Sequence, residues 1–230
     1  MLLDDAERLM QTLGYRFSDR ALLKQALTHR SAGQQHNERL EFLGDALLGF
    51  IIAEELYRRF PNADEGQLTR LRASLVRKES LAALAHNVAI GSHLQLGEGE
   101  LKSGGYRRES ILANALEALI GAIYVDGGFD ACRQQVIKLF ESTLLPLSPD
   151  DVVKDPKTDL QEWLQARHLA LPTYRMLDVS GEPHNQRFTV ECELSDLAVS
   201  VRGQGRSRRQ AEQQAAAQAL NLLRNTRAAV

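Results

Sequence analysis

The 230-residue sequence is poor in the residues that build disulfide frameworks, zinc sites and membrane spans. Its two cysteines, Cys132 and Cys192, lie far apart with no CxxC or Cys/His spacing. They therefore indicate a reducing compartment and argue against structural zinc. No uncharged apolar run approaches the roughly 18 residues of a transmembrane helix. The first ten residues are acidic where a signal peptide is basic, so we expect a cytoplasmic protein without a membrane partner.

Aromatic residues make up only 6% of the chain, and neither sign of charge dominates. The low aromatic content disfavours a glycosidase that works with paired carboxylates, because no aromatic platform for a sugar accompanies the acidic residues. The formal net charge of −2 gives by itself no sign of a nucleic-acid partner. The sum hides an uneven distribution, because residues 198–230 contain six arginines and a single acidic residue, Glu212.

The spacing of apolar residues changes at a proline-containing stretch, residues 144–158. Before it, apolar residues recur at helical spacing, which predicts an all-α domain over residues 1–147. The prolines and clustered charges predict a linker at residues 148–154. After it, the order α-β-β-β-α predicts a small α+β domain over residues 155–226.

Finer elements are also predicted in both domains. Asp155 followed by Pro156 suits the start of a helix. The predicted strands and the closing helix lie near residues 173–179, 187–194, 197–201 and 207–223. In the first domain, four glycines between Gly97 and Gly105 predict one long irregular loop.

The most informative segment, NERLEFLGDALLGFIIAEELY, is a predicted helix with three carboxylates on one side. Glu38, Glu41 and Asp45 stand at i, i+3 and i+7, so they stack along one stripe. A second apolar helix carries Asn114 and Glu117 one turn apart. Because buried ionised groups need partners, two such helices could pack to form an oxygen-lined cage. Such ligands suit Mg²⁺, with Mn²⁺ as a substitute.

An alternative remains open for these carboxylates. Glu38 and Glu41 would complement the positive end of their helix, while Asp45 and Glu117 would pair with arginines. The arginines available for this are Arg39, Arg72 and Arg77.

The segments that carry these residues resemble the ribonuclease III family. NERLEFLGDA is similar to the family signature, and ELKSGGYRRESILANALEALIGAIY is similar to its second conserved block. The α-β-β-β-α tail resembles the family's double-stranded-RNA-binding domain. The resemblance runs in order along nearly the whole chain. It implies a bacterial-type enzyme, with an all-α endonuclease domain followed by a small α+β RNA-binding domain.

The resemblance also implies roles for residues at matching positions. The metal ligands would be Glu41, Asp45, Asn114 and Glu117. Of these, Asp45 and Glu117 would be catalytic. Glu38 and Glu65 match acidic positions near the family's dimer interface and cleavage site. The implied activity is Mg²⁺-dependent hydrolysis of double-stranded RNA by a homodimer. It would leave 5′-phosphate and 3′-hydroxyl ends and serve maturation of ribosomal and messenger RNA.

Basic residues at helix ends and loops suit duplex RNA, which is recognised mainly through phosphates and 2′-hydroxyls. Three arginines, Arg206, Arg208 and Arg209, stand at the start of the last helix. By resemblance, Gln161 and His184 enter successive minor grooves. The cations that flank the glycine-rich loop, which could follow the scissile strand, are Lys102, Arg107 and Arg108. Ordinary solvated surface positions are the alternative for all of them.

Asn114 departs from the family pattern, which has aspartate at this position. A neutral amide can still ligate Mg²⁺ through oxygen, but the cage loses one negative charge. The alternative function is therefore a non-cleaving double-stranded-RNA-binding protein of the same fold. We expect His29 and His86 to be structural.

Overall fold

The structure, a computed structural model, describes residues 3–149, 154–182 and 185–227. The chain divides into two compact units, Met1–Val152 and Val153–Val230, each with its own hydrophobic core. The first is all-α and the second is a small α+β unit, so the predicted fold class is confirmed.

The first unit is built from helices joined by short turns. The long α7 is interrupted at Gly128, whose φ of +79° breaks the helical backbone. The helices are α1 Leu3–Leu13, α2 Arg20–Ala26, α3 Glu38–Arg59, α4 Glu65–Val76, α5 Lys78–Asn87, α6 Glu98–Lys102 and α7 Glu109–Leu144.

The prediction of one irregular loop between Gly97 and Gly105 is wrong. The segment contains α6 and a short 3₁₀ turn, Gly105–Arg107. Gly97 precedes α6 with extended backbone, and Gly104 follows it with φ of +77°. The glycines therefore mark helix boundaries, because the left-handed backbone at Gly104 ends a helix and favours a residue without Cβ.

Helix α7 is, among the described residues, the helix long and apolar enough to cross a membrane by length and composition alone. Most of its apolar window, 61%, is buried inside the protein. It packs against α3 and α5, so core packing accounts for its apolar character.

The second unit packs α8 and α9 against a three-stranded antiparallel sheet of order β1-β2-β3. As predicted, Asp155 caps α8 by accepting a hydrogen bond from the Lys157 backbone, with proline at the first helical position. A bulge at Leu177 interrupts the pairing of β1 with β2. The bounds are α8 Pro156–Gln165, β1 Thr173–Ser180, β2 Arg187–Leu194, β3 Val199–Gly205 and α9 Arg208–Arg227.

Two elements of this unit differ from the prediction. The third strand begins at Val199 rather than residue 197, because Ser195–Leu197 forms a 3₁₀ turn and Ala198 has a φ of +52°. The last helix continues past residue 223, and Ser207 precedes it, accepting a hydrogen bond from the Gln210 backbone at 3.2 Å. A serine at this position caps a helix instead of extending it.

Helices α3 and α7 touch backbone to backbone at two glycines. A Cβ on Gly44 would lie 1.8 Å from the carbonyl oxygen of Glu117. A Cβ on Gly121 would lie 2.2 Å from the carbonyl oxygen of Leu40. Neither position leaves room for a side chain, so the glycines set the distance between the two helices.

We expect Gly44→Ala to destabilise the protein by about 1–3 kcal/mol or more, because the added methyl forces the helices apart. Thermal and urea unfolding measure the change. Gly99→Ala in α6 is the matched control, since its Cβ would meet nothing within 4 Å. Equal stability of the two variants would contradict close packing at this crossing.

Candidate metal centre and RNA-binding surface

The crossing of α3 and α7 brings the four predicted metal ligands together. On α3, Asp45 follows Gly44 directly and Glu41 lies about one turn earlier. On α7, Asn114 and Glu117 stand one turn apart. The Glu41 carboxylate accepts a hydrogen bond from the Asn114 side chain, and Asp45 and Glu41 are close enough to Glu117 to perturb it electrostatically. Helix packing therefore joins two pairs that are some 70 residues apart in sequence.

The carboxylates of this cluster are held in an unfavourable environment. Burial, together with the negative charges of Asp45 and Glu41, raises the pKa of Glu117 to about 7. Burial also raises the pKa of Glu41, with the charges of Glu38 and Asp45 acting in the same direction. The Asn114 hydrogen bond and Arg30 oppose that rise. Like charges gathered in a partly buried site favour protonation or a bound cation.

The alternative of arginine pairing does not hold in the described residues. No lysine or arginine there lies within salt-bridge distance of Asp45 or Glu117, including Arg39, Arg72 and Arg77. Glu38, in contrast, is paired, with Arg30 at 3.3 Å and His36 at 3.7 Å. Glu38 thus has cationic partners at the start of α3, whereas Asp45 and Glu117 have none within salt-bridge distance in the described part of the chain.

The donor set fits a hard divalent cation. Three carboxylates and one amide oxygen are the ligands that Mg²⁺ and Mn²⁺ prefer. Within residues 3–149, 154–182 and 185–227, no group of three or more Asp, Glu, His or Cys side chains is arranged to hold a metal ion. The chemistry of the donors and their uncompensated charge, rather than a closed geometry, therefore support a cation.

An open polar pocket of about 510 Å³ lies beside the cluster. Glu38, Glu41 and Asn114 line it, so it borders the candidate metal ligands. The other lining residues are His29, Arg30, Ser31, Asn37, Glu100, Arg108, Ser110 and Ile111. The pocket offers both carboxylates and guanidinium groups to a ligand.

Three predicted basic residues near this pocket have different surroundings. Arg108 enters the pocket wall, 2.6 Å from Glu100. Lys102 pairs with Glu98 at 3.3 Å on the exposed side of α6. Arg107 stacks over its neighbour Tyr106, with 5.1 Å between guanidinium and ring centre.

Glu65 lies away from the carboxylate cluster. It begins α4 and accepts a hydrogen bond from the Thr69 hydroxyl at 2.9 Å. It lines a separate, largely apolar groove of about 640 Å³ together with Phe50, Tyr57 and Leu68.

His29, expected to be structural, contacts the Ser31 hydroxyl at 2.8 Å, and burial lowers its pKa.

In the second unit, the predicted RNA-binding residues that the structure describes lie in the middle of α8 and at the start of α9. Gln161 is exposed on α8, and Arg206 is exposed just before α9. Arg208 donates to Glu212 at 2.9 Å, and Arg209 lies 3.9 Å from Asp155. His184 falls outside the described residues.

Comparison with known proteins matches both units. Residues 19–143 match the family model described as ribonuclease-III-like. Residues 156–223 match that of the double-stranded RNA binding motif. The chain belongs to the ribonuclease III family. The resemblance seen in its sequence is thereby confirmed, and with it the assignment of the chain as an enzyme of this family.

Relatives of similar length support this membership. Ribonuclease 3 of Nitrosococcus oceani is 59% identical over 222 residues, covering 96% of this chain and 95% of the relative. Ribonuclease 3 of Buchnera aphidicola subsp. Schizaphis graminum is 56% identical, covering 94% and 95%.

Two solved structures of the nuclease domain of ribonuclease III from Campylobacter jejuni resemble the first unit. The first is 40% identical, with a TM-score of 0.59, and covers 62% of this chain and 97% of its own. The second is 42% identical with the same TM-score, covers 61% and 99%, and concerns flexibility in a region involved in dimer formation.

Sequence reasoning missed two pocket residues of this ribonuclease III family member. Glu100 lies in the short helix α6 and Arg30 in a turn, both outside the apolar helices α3 and α7 that carry the predicted carboxylates. A signal was available for Glu100, which stands in the quoted block ELKSGGYRRES, but its pairing with Arg108 depends on the turn between them.

The raised pKa of Glu117 predicts a pH dependence of stability without metal. Between pH 4.5 and about 7, the folded state keeps a proton that the unfolded chain has lost. The free energy of unfolding therefore falls as pH rises through this window. Glu117→Gln removes the effect, so its stability relative to wild type should rise by roughly 1–3 kcal/mol between pH 4 and 8.

Urea unfolding in a chelator at several pH values measures this difference. Glu141→Gln, at an exposed position of the same helix, is the control for loss of one charge. A constant difference between Glu117→Gln and wild type across the pH range would contradict the raised pKa.

Proposed function

We propose that the protein is a Mg²⁺-dependent endoribonuclease that hydrolyses phosphodiester bonds in double-stranded RNA, with Mn²⁺ as a substitute for Mg²⁺. The products would carry 5′-phosphate and 3′-hydroxyl ends, and the substrates would be ribosomal and messenger RNA precursors. One observation carries the proposal. Glu41, Asp45 and Glu117, which form no salt bridge among the described residues, meet the Asn114 amide at the glycine crossing of α3 and α7, in a chain that also has a double-stranded-RNA-binding motif.

The residues that would hold the cation are Glu41, Asp45, Asn114 and Glu117. A divalent cation supplies charge that stabilises the developing negative charge on phosphate and lowers the pKa of water. Asp45 and Glu117 are the proposed catalytic pair, which orients the attacking water. Once ionised, the Glu117 carboxylate can accept a hydrogen bond or a proton from that water.

Two arginine side chains in the pocket suit a phosphodiester substrate. Arg30 and Arg108 line the same pocket as Glu41, and both are paired with carboxylates in the protein alone. A phosphodiester entering this pocket would meet both the guanidinium groups and the candidate metal ligands. Guanidinium groups bind phosphate oxygens through directed hydrogen bonds.

We expect cleavage of a labelled RNA duplex to require Mg²⁺ or Mn²⁺ and to stop in a chelator. Asp45→Asn and Glu117→Gln should each lower the rate by at least about 100-fold, because each removes a charged ligand. Duplex binding, measured separately in a chelator, should persist in both variants. Glu79→Gln, at an exposed position of α5, is the control.

The same experiment tests the non-cleaving alternative that Asn114 suggests. Duplex binding with no cleavage at any Mg²⁺ or Mn²⁺ concentration would contradict the enzyme proposal. Asn114→Asp should lower the Mg²⁺ concentration needed for half-maximal activity, since it restores a charge. An unchanged requirement would count against Asn114 as a ligand.

The proposed active form is a homodimer that pairs through α3. Large apolar side chains project from this helix into solvent, and Phe42 and Tyr57 are 80% and 73% exposed. Phe50, also exposed, stacks edge-on against Phe129 and lines the apolar groove with Glu65. Exposed apolar surface of this kind marks an interface. The C. jejuni nuclease domain, a similar structure, has a region involved in dimer formation.

Phe50→Arg should weaken self-association by about 10-fold or more, because it places a charge in the proposed interface. Sedimentation velocity over a concentration series gives the association constant. Leu101→Arg adds the same charge at an exposed leucine on α6 and should leave association unchanged. A monomeric wild type, or equal behaviour of both variants, would argue against this interface.

The proposed location is the cytoplasm. Cys132 and Cys192 are both buried free thiols. Unpaired thiols suit a reducing compartment.

A further inference from the structure

Glu212 is a buried carboxylate near the start of α9 that binds cations from two different helices. Its Oε1 accepts a hydrogen bond from Arg208 Nε of α9 at 2.9 Å, and its Oε2 accepts one from the Lys157 ammonium of α8. The Glu212 side chain is only 11% exposed, whereas that of Arg208 is 60% exposed. Lys157 also lies 4.5 Å from the ring centre of Tyr174. Glu212 and Tyr174 together hold the ammonium in one place.

A second carboxylate holds the same two helix starts together. Asp155, which caps α8, accepts a hydrogen bond from Gln213 Nε2 of α9 at 2.7 Å. It also lies 3.9 Å from Arg209. The positive ends of α8 and α9 are therefore fixed next to each other, with cations around them.

An acidic side chain in this basic segment needs a physical reason. Glu212 is the single acidic residue of 198–230, and a carboxylate near bound phosphate repels it. Lys157 and Arg208 bind the same carboxylate, so they lie close together and would repel each other if no anion lay between them. Glu212 removes that repulsion and fixes both cations, one on each carboxylate oxygen.

We propose that Glu212 is a positioning residue for double-stranded RNA, which holds Lys157 and Arg208 side by side for neighbouring phosphates. Lys157 is then a further phosphate-contacting residue, beyond the arginines predicted from the sequence. The inference rests on the proposed RNA binding of the second unit. Removing the Glu212 carboxylate would have two opposite effects on RNA binding. It makes the surface more positive, which favours binding, but it also releases Lys157 and Arg208 from their fixed positions, which weakens binding.

Binding of the full-length protein to a labelled RNA duplex, in a chelator and over a salt series, tests the proposal. Glu212→Gln should weaken binding by about 3- to 10-fold and reduce the salt dependence by about one phosphate contact. Glu193→Gln is the matched control, because it makes the same charge change on the outer face of the sheet, where Glu193 is exposed. It should leave binding unchanged or slightly tighter.

Thermal unfolding shows whether the Glu212→Gln variant folds. If it does not fold, a second variant tests the proposal. Lys157→Gln leaves Glu212 paired with Arg208. It should weaken duplex binding and lower the slope of log affinity against log salt concentration by about one. Arg175→Gln, at an exposed cation on β1, is its control and should show a smaller loss.

Binding by folded Glu212→Gln as tight as by Glu193→Gln would overturn the proposal, as would equal losses in Lys157→Gln and Arg175→Gln. Failure of the wild type to bind duplex RNA would instead overturn the proposed function itself.

Discussion

Backbone contact between α3 and α7 at Gly44 and Gly121 is the constraint on which the candidate active site depends. A carbonyl oxygen of each helix occupies the space where the other's Cβ would be. This contact forces Glu41 and Asp45 close to Asn114 and Glu117, although like charges repel. The core that surrounds both helices supplies the favourable energy, since α3 and α7 bury apolar residues along most of their lengths. The packing of the first unit therefore holds these carboxylates close together even though their mutual repulsion is unfavourable.

The two units treat the charge of their clustered carboxylates in opposite ways. In the first, Glu117 and Asp45 lack a cationic partner within the described residues, and burial raises the pKa of Glu117. In the second, buried Glu212 and half-buried Asp155 lie beside cations, and hydrogen bonds lower the pKa of both against the effect of desolvation. An uncompensated cluster suits a site whose counter-charge comes from a bound metal ion. A compensated one suits a surface whose cations must keep fixed positions for a polyanion.

Asn114 softens the repulsion in the first unit. Its side chain donates a hydrogen bond to Glu41, which lowers the pKa that burial and neighbouring charges raise. An aspartate at this position would add a fourth negative charge and could not donate unless protonated. The amide thus favours the cluster without metal while keeping an oxygen available for a cation.

Much of the fold could be predicted because local chemistry decides it. The spacing of apolar residues indicates helices in the first unit, and Asp155 with Pro156 marks the start of α8. Short-range signals were weaker where backbone conformation overrides composition. The glycines from Gly97 to Gly105 predicted a loop, but the segment contains α6, which begins after Gly97 and ends before Gly104. Ala198 adopts a left-handed conformation, and β3 begins only after it.

The site divides in the same way. The sequence alone determined that Glu38, Glu41 and Asp45 share one stripe of a helix, because a helical period fixes neighbours one turn apart. Only the tertiary structure decided which of these stay uncompensated. Glu38 meets Arg30 from the preceding turn, whereas Asp45, next to the glycine contact, forms no salt bridge in the described residues. It also decided that Arg108 pairs with Glu100 and that Glu65 lies in another groove. Such contacts join residues far apart in the chain, and helix packing rather than local spacing sets their distances.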